Sequence, residues 1–88
     1  MRLGMLWFDN DPKLALTEKV ERAASYYFHK YGRTPDLCLL NPAMLGATAP
    51  DEVQSHTGKI ALRPMRTILP NHLWIGMDDK ERLPMGAD

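Results

Sequence analysis

At 88 residues the chain is long enough for one small domain, and a domain of this size buries only about 60% of the surface that its unfolded form exposes. Its stability margin is therefore narrow unless a disulfide, a metal or a partner chain contributes. Eleven basic and eleven acidic side chains cancel, which gives the chain as a whole no attraction toward nucleic acid or an anionic membrane, and a single cysteine, Cys38, excludes both an internal disulfide and a cysteine-built zinc site.

The chain opens with Met1-Arg2 and an apolar run, Leu3 to Phe8, that reaches Asp9 too soon for a signal-peptide core. No stretch approaches the roughly 20 apolar residues of a membrane span. Together with the free cysteine this predicts a cytoplasmic protein without membrane association. The run itself is nearly continuous in apolar residues rather than alternating, the pattern of a central strand covered on both faces.

Asp9-Asn10-Asp11-Pro12 reads as a strand end followed by a helix start. Asp11 suits an N-cap, where a carboxylate accepts from free backbone N–H groups, and Pro12 suits the first helical position. From Lys13 to Tyr31, the residues Leu16, Val20, Ala23, Ala24, Tyr27, Phe28 and Tyr31 recur at three- and four-residue spacing, with Lys13, Glu18, Lys19, Glu21, Arg22 and Lys30 on the remaining surface. This predicts a long amphipathic helix from residue 12, stopped at Gly32 by a left-handed C-cap, with His29 and Lys30 beside the carbonyl end of the dipole.

Leu37-Cys38-Leu39-Leu40-Asn41 is a second apolar strand, so strand, helix and strand form a βαβ unit with its two strands parallel. That arrangement brings Asp9, Asn10, Asp11 and Asn41 to the carboxyl end of the sheet, where open α/β sheets bind ligands. Inside the second strand, Cys38 reads as a buried, unreactive thiol.

Residues 43–56 are small and apolar at first, then Asp51 to His56 suggests one or two helical turns entered through Pro50. The segment is longer than an ordinary loop, which predicts a packed cover for the sheet. Beyond it, Lys59 to Arg63 alternates as a half-exposed strand, with Pro64 at an edge or bulge because it has no N–H for a ladder. Met65 to Leu69 and His72 to Met77 read as the arms of a hairpin, joined at Leu69-Pro70-Asn71-His72, where proline at the second turn position and asparagine at the third are sound turn chemistry. Residues 78–88 are charged, with Pro84 and Gly86, and read as a mobile C-terminal tail.

The resulting expectation is an α/β domain over residues 1–77, with α+β as the alternative class. It comprises a small sheet with a βαβ unit, one long amphipathic helix, then a C-terminal β-hairpin. Three kinds of chemistry fit the residues. Two near-continuous apolar strands need cover on both faces, yet one helix covers only one. Either residues 43–56 fold back over the second face or another copy of the chain does, and Met5, Met44, Met65 and Met77 suit an adaptable self-association surface. This favours an oligomerising or partner-binding module, a homodimer, with no cofactor.

The alternatives are a nucleic-acid-binding module and a small enzyme. The first would use a basic patch of Arg33, Lys59, Arg63 and Arg66, with Trp74 as a stacking surface. A charged strand edge that resists aggregation accounts for the same residues. The second would process phosphate or depend on Mg²⁺ or Mn²⁺, with Asp9 and Asp11 as metal ligands, since an Asp-x-Asp after a hydrophobic strand is one way to hold such an ion. Asp11 as a helix cap and Asp9 as a solvated strand end account for that pair better. His29, His56 and His72 lack zinc-site spacing, and Ser25 and Ser55 lack the context of an activated nucleophile. The balance is against an enzyme.

Overall fold

In the computed structural model, residues 4–46, 50–55 and 58–77 are described; the expected tail 78–88 and His56 lie outside them. Five strands and one long helix follow in the order β1 (Gly4–Phe8), α1 (Leu16–Tyr31), β2 (Leu37–Leu40), β3 (Glu52–Ser55), β4 (Gly58–Pro64) and β5 (His72–Gly76), with a 3-10 turn at Pro42–Met44 after β2. The strands form one mixed sheet in the order β1-β5-β2-β4-β3.

The fold is the expected small α/β type, with an insertion the sequence reading lacked. β5 pairs antiparallel with both β1 and β2, so β1 and β2 run parallel, as a βαβ unit requires, but β5 lies between them. The last strand in sequence is thus the second in space. β2 pairs with β4 parallel, and β3 with β4 antiparallel. The hairpin of the C-terminal half is therefore β3 with β4. Residues 65–69, expected as a strand arm, form no strand and pass through a turn instead.

Residues 43–56 also differ from expectation. The described ones contain no α-helical turn, and none of them is a helix over the second face of the sheet. Glu52–Ser55 is an edge strand whose residues alternate exposed and buried, the period of a half-covered strand. Met44 and Leu45 pack against the core on the helix side.

Helix α1 begins later than its sequence signals suggest. Asp11 does accept a backbone N–H, from Lys13 at 2.9 Å, but this closes a local Asx turn with Pro12 at its second position. The helix starts after Ala15, whose N–H donates to the Glu18 carboxylate at 3.2 Å, half of a capping box. Its end is as expected: Gly32 adopts φ 72°, and its N–H donates to Phe28 O at 2.8 Å. The turn before β5 also follows expectation, with Asn71 at φ 68° and His72 N–H donating to Leu69 O at 3.1 Å.

Pro64 is placed where it costs no hydrogen bond. Leu62 N–H donates to Asp51 O at 2.8 Å. Two residues on, the ladder partner on β3 has run out, because β3 pairs only with Gly58 to Ala61.

One face of the sheet carries the core. Val20, Ala23, Ala24 and Tyr27 of α1 meet Cys38, Leu40, Val53, Ile60, Leu62, Leu73 and Ile75, with Met5, Trp7, Leu16 and Tyr31 at the margin. Phe28, expected in the apolar stripe, is instead exposed, as is Tyr26. Cys38 is fully buried, and burial pushes its thiol up from 9.0 to about 12. Since the unfolded thiol ionises near 9.0 and the folded one does not, the unfolded state binds fewer protons above that pH. Stability is then expected to fall by up to about 1.4 kcal/mol per pH unit from pH 9 toward 12. Denaturant titrations at several alkaline pH values measure this, and Cys38→Ala should flatten the slope.

Candidate functional site: the uncovered sheet face

Side chains alternate across a strand, so the register of the sheet fixes what the second face carries. Leu6 lies opposite Trp74, Phe8 opposite His72 and Gly4 opposite Gly76. Trp74 continues to Leu39, and Gly76 to Leu37. From there the rows pass to Arg63 and Ala61 of β4, and then to β3, where Glu52 faces Ala61 and Gln54 faces Lys59. No described helix covers this side. Its apolar half comprises Leu6, Phe8, Trp74, Leu37 and Leu39; its polar half comprises Lys59, Arg63, Glu52 and Gln54.

The apolar half is exposed only at its β1 margin. Leu6 is 62% and Phe8 58% exposed, although β1 reads in sequence as a central strand. The physical reason is topological: β5 occupies the inner side of β1, leaving β1 at the sheet edge. Leu37 and Leu39 form a buried floor beside Trp74. The Trp74 indole lies over Gly4, filling the space that a Gly4 side chain would need. Gly4 is therefore required to be side-chain-free for this ring to lie on the sheet. Phe8 packs against the His72 ring at 5.0 Å, and His72 Nδ1 lies 3.0 Å from Pro70 O. A carbonyl accepts only, which places the proton of the neutral ring on Nδ1.

The basic residues are divided by the fold. Lys59 and Arg63 share the uncovered face, whereas Arg33 precedes β2 and Arg66 follows β4. Because β2 and β4 are parallel, these last two arginines flank opposite ends of the strands. Glu52, on the same face and one strand over, offsets part of the Lys59 and Arg63 field. The structure thus brings two of the four basic residues together, next to an acidic one.

At the carboxyl end of β1 and β2, the polar residues are engaged with the chain itself. Asp9 Oδ1 accepts from Asp11 N–H at 3.0 Å, and Asn41 Oδ1 accepts from Ala43 N–H at 2.9 Å while its Nδ2 donates to Ile68 O at 3.0 Å. The inserted strand fills the crevice that two adjacent parallel strands would leave. The turn into β5 sits between them, with Asp9 N–H donating to Asn71 O at 2.9 Å. What remains is an open cleft of about 280 Å³ lined by Leu14, Leu16, Lys19, Met44 and Asn71. Lys19, read from sequence as a surface residue, is buried there and donates from Nζ to Asp9 O at 3.2 Å. Its signal was hidden because periodicity scores a lysine as polar wherever its aliphatic stem lies.

Among the described residues, no three histidine, cysteine, aspartate or glutamate side chains gather as a metal-binding group. Nor is any described helix long and apolar enough to cross a membrane. A second hollow, of about 370 Å³, lies between β1 and α1 and is lined by Trp7, Arg22, Ser25, Tyr26 and His29. Trp7 stacks against Tyr26 there at 5.3 Å.

Compared with protein-family models, with curated proteins and with solved structures, the chain matches none.

Proposed function

We propose that this chain is an association module of the cytoplasm that binds a second copy of itself through the apolar half of the uncovered sheet face. The observation that carries this reading is the exposure of Leu6 and Phe8 beside Trp74 and the Leu37–Leu39 floor. A contiguous apolar patch rimmed by polar residues is the usual mark of a protein interface. The small size of the domain adds weight, since apolar surface that its own core leaves uncovered becomes stabilising only when a partner buries it. The unreactive Cys38 suits a reducing compartment.

The test is where the surface senses concentration. On dilution from high to low micromolar, amide and methyl resonances should shift at Leu6, Phe8, Leu39 and Trp74. Shifts confined to the exposed outer aromatics of α1, Tyr26 and Phe28, would overturn the reading.

One observation favours a second reading. Trp74, Phe8 and His72 share their face with Lys59 and Arg63, the combination of rings and cations that stacks and neutralises single-stranded nucleic acid. That reading predicts oligonucleotide binding that weakens with salt and with Arg63→Ala, while Arg66→Ala leaves it unchanged. The zero net charge and Glu52 place it behind self-association.

A further inference from the structure

We infer that two copies join edge to edge through β1, antiparallel, so that two five-stranded sheets become one continuous sheet. This inference rests on the self-association reading and names its geometry. It begins with the hydrogen-bond phase of β1. In an antiparallel ladder, alternate residues exchange bonds with the neighbouring strand while those between point the other way. Asp9 N–H donates to Asn71 O at 2.9 Å, so Trp7 and Met5, two and four residues earlier, bond to Leu73 and Ile75 of β5.

The other side of β5 agrees. Gly76 O accepts from Asp36 N–H at 3.0 Å, toward β2 and away from its β1 partner Gly4. The N–H and C=O groups of Gly4, Leu6 and Phe8 therefore point outward, and among the described residues no strand flanks β1 on that side.

This edge has none of the usual protections. Gly4–Phe8 contains no charge and no proline, whereas β3, at the opposite edge, is short and exposes Glu52 and Gln54. An uncharged edge can meet its own copy antiparallel without like charges facing. The register follows from the phase: outward-facing residues must oppose outward-facing residues, and full overlap sets Leu6 against Leu6 of the copy and Phe8 against Gly4. Each such pair exchanges two backbone hydrogen bonds.

The side chains complete the fit. Gly4, Leu6 and Phe8 all stand on the uncovered face, so the join brings the two Leu6 side chains together. It also lays each Phe8 ring over the Gly4 of the copy, against the indole that covers that glycine. One twofold contact thereby brings the two most exposed apolar side chains of the strand against their counterparts along the joined edge and pairs its outward-pointing backbone groups.

Hydrogen exchange of the unmodified chain, read residue by residue at concentrations where light scattering reports the mass, tests this. The expected result is a dimer in which the Leu6 and Phe8 amides exchange at least about tenfold more slowly than in dilute solution. A dimer whose Leu6 and Phe8 amides exchange equally fast at both concentrations would overturn the edge geometry and leave the self-association reading standing. A monomer at high micromolar concentration overturns both, including a monomer with those amides protected, which would mean that residues 78–88 occupy the edge.

Leu6→Pro supplies the second arm. Its lost N–H points outward, so the sheet keeps its ladder and the fold should persist by circular dichroism. Self-association should weaken at least tenfold. Unaltered association of the folded variant would contradict the edge pairing.

Discussion

Replacing Ile75 by alanine is expected to lower the unfolding free energy by about 2–5 kcal/mol, the range for removing a large aliphatic side chain from a site that cannot collapse. Ile75 is fully buried and stands on β5 between Met5 of β1 and Cys38 of β2. Among the described residues no other strand joins those two parallel strands. Each kcal/mol is worth about 4–8 °C in a domain of this size, so thermal unfolding followed by circular dichroism should show a midpoint lowered by about 8 °C or more. A shift of a degree or two would mean that β5 is not the central element of the sheet.

The second large effect is on association and should leave the fold intact. The double replacement Leu6→Lys with Phe8→Lys changes two side chains that are 62% and 58% exposed, and exposed substitutions of this kind usually move stability by no more than about 0.5 kcal/mol. In the dimer Leu6 meets Leu6 of the copy and Phe8 lies beside Gly4 of the copy, contacts worth a part of the roughly 1.5–3 kcal/mol for fully burying each such side chain, and lysines there would bring like charges together. Self-association should therefore weaken at least about 100-fold. Sedimentation velocity measures it. The same variant separates the two functional readings, because it should abolish the dimer, whereas salt-sensitive oligonucleotide binding, losing one of three rings but gaining two cations, should persist. Retention of wild-type association would show that the dimer, if present, forms elsewhere.

Much of the architecture was legible because its signals are local. The three- and four-residue spacing of Val20, Ala23, Ala24 and Tyr27 locates the helix, Gly32 ends it, and Pro70-Asn71 makes the turn into β5. The apolar run of β2 is buried at every position. What escaped was set by distant parts of the chain. Nothing in Gly4–Phe8 says that β5 will take its inner side, so a run of five apolar residues at an exposed edge resembles a buried central strand.

The hairpin was misplaced for a related reason. Strong turn chemistry at Leu69 to His72 marks a reversal, but the strand that receives β5 comes from the start of the chain. The weaker alternation of Glu52 to Ser55, which does form a hairpin arm, was masked by the helical appearance of Asp51 to His56.

The candidate site was partly legible too. That one helix leaves a second face uncovered follows from the element count, and Trp74 and Arg63 were already candidates for a surface. Leu6, Phe8 and Gly4 were not, because their exposure is a consequence of strand order. Conversely, Asp9, Asp11 and Asn41 drew notice through a positional rule for adjacent parallel strands, and here an antiparallel strand stands between them. Their oxygens serve the turns that connect β1 to α1 and β2 to the 3-10 turn.

The central claim, that copies of this chain associate through the β1 margin of the sheet face that carries Trp74, is tested most directly by sedimentation equilibrium of the unmodified protein over two decades of concentration. The fitted mass should rise with concentration and level off at twice the mass of one chain. A mass that stays at one chain up to high micromolar concentration would contradict the claim.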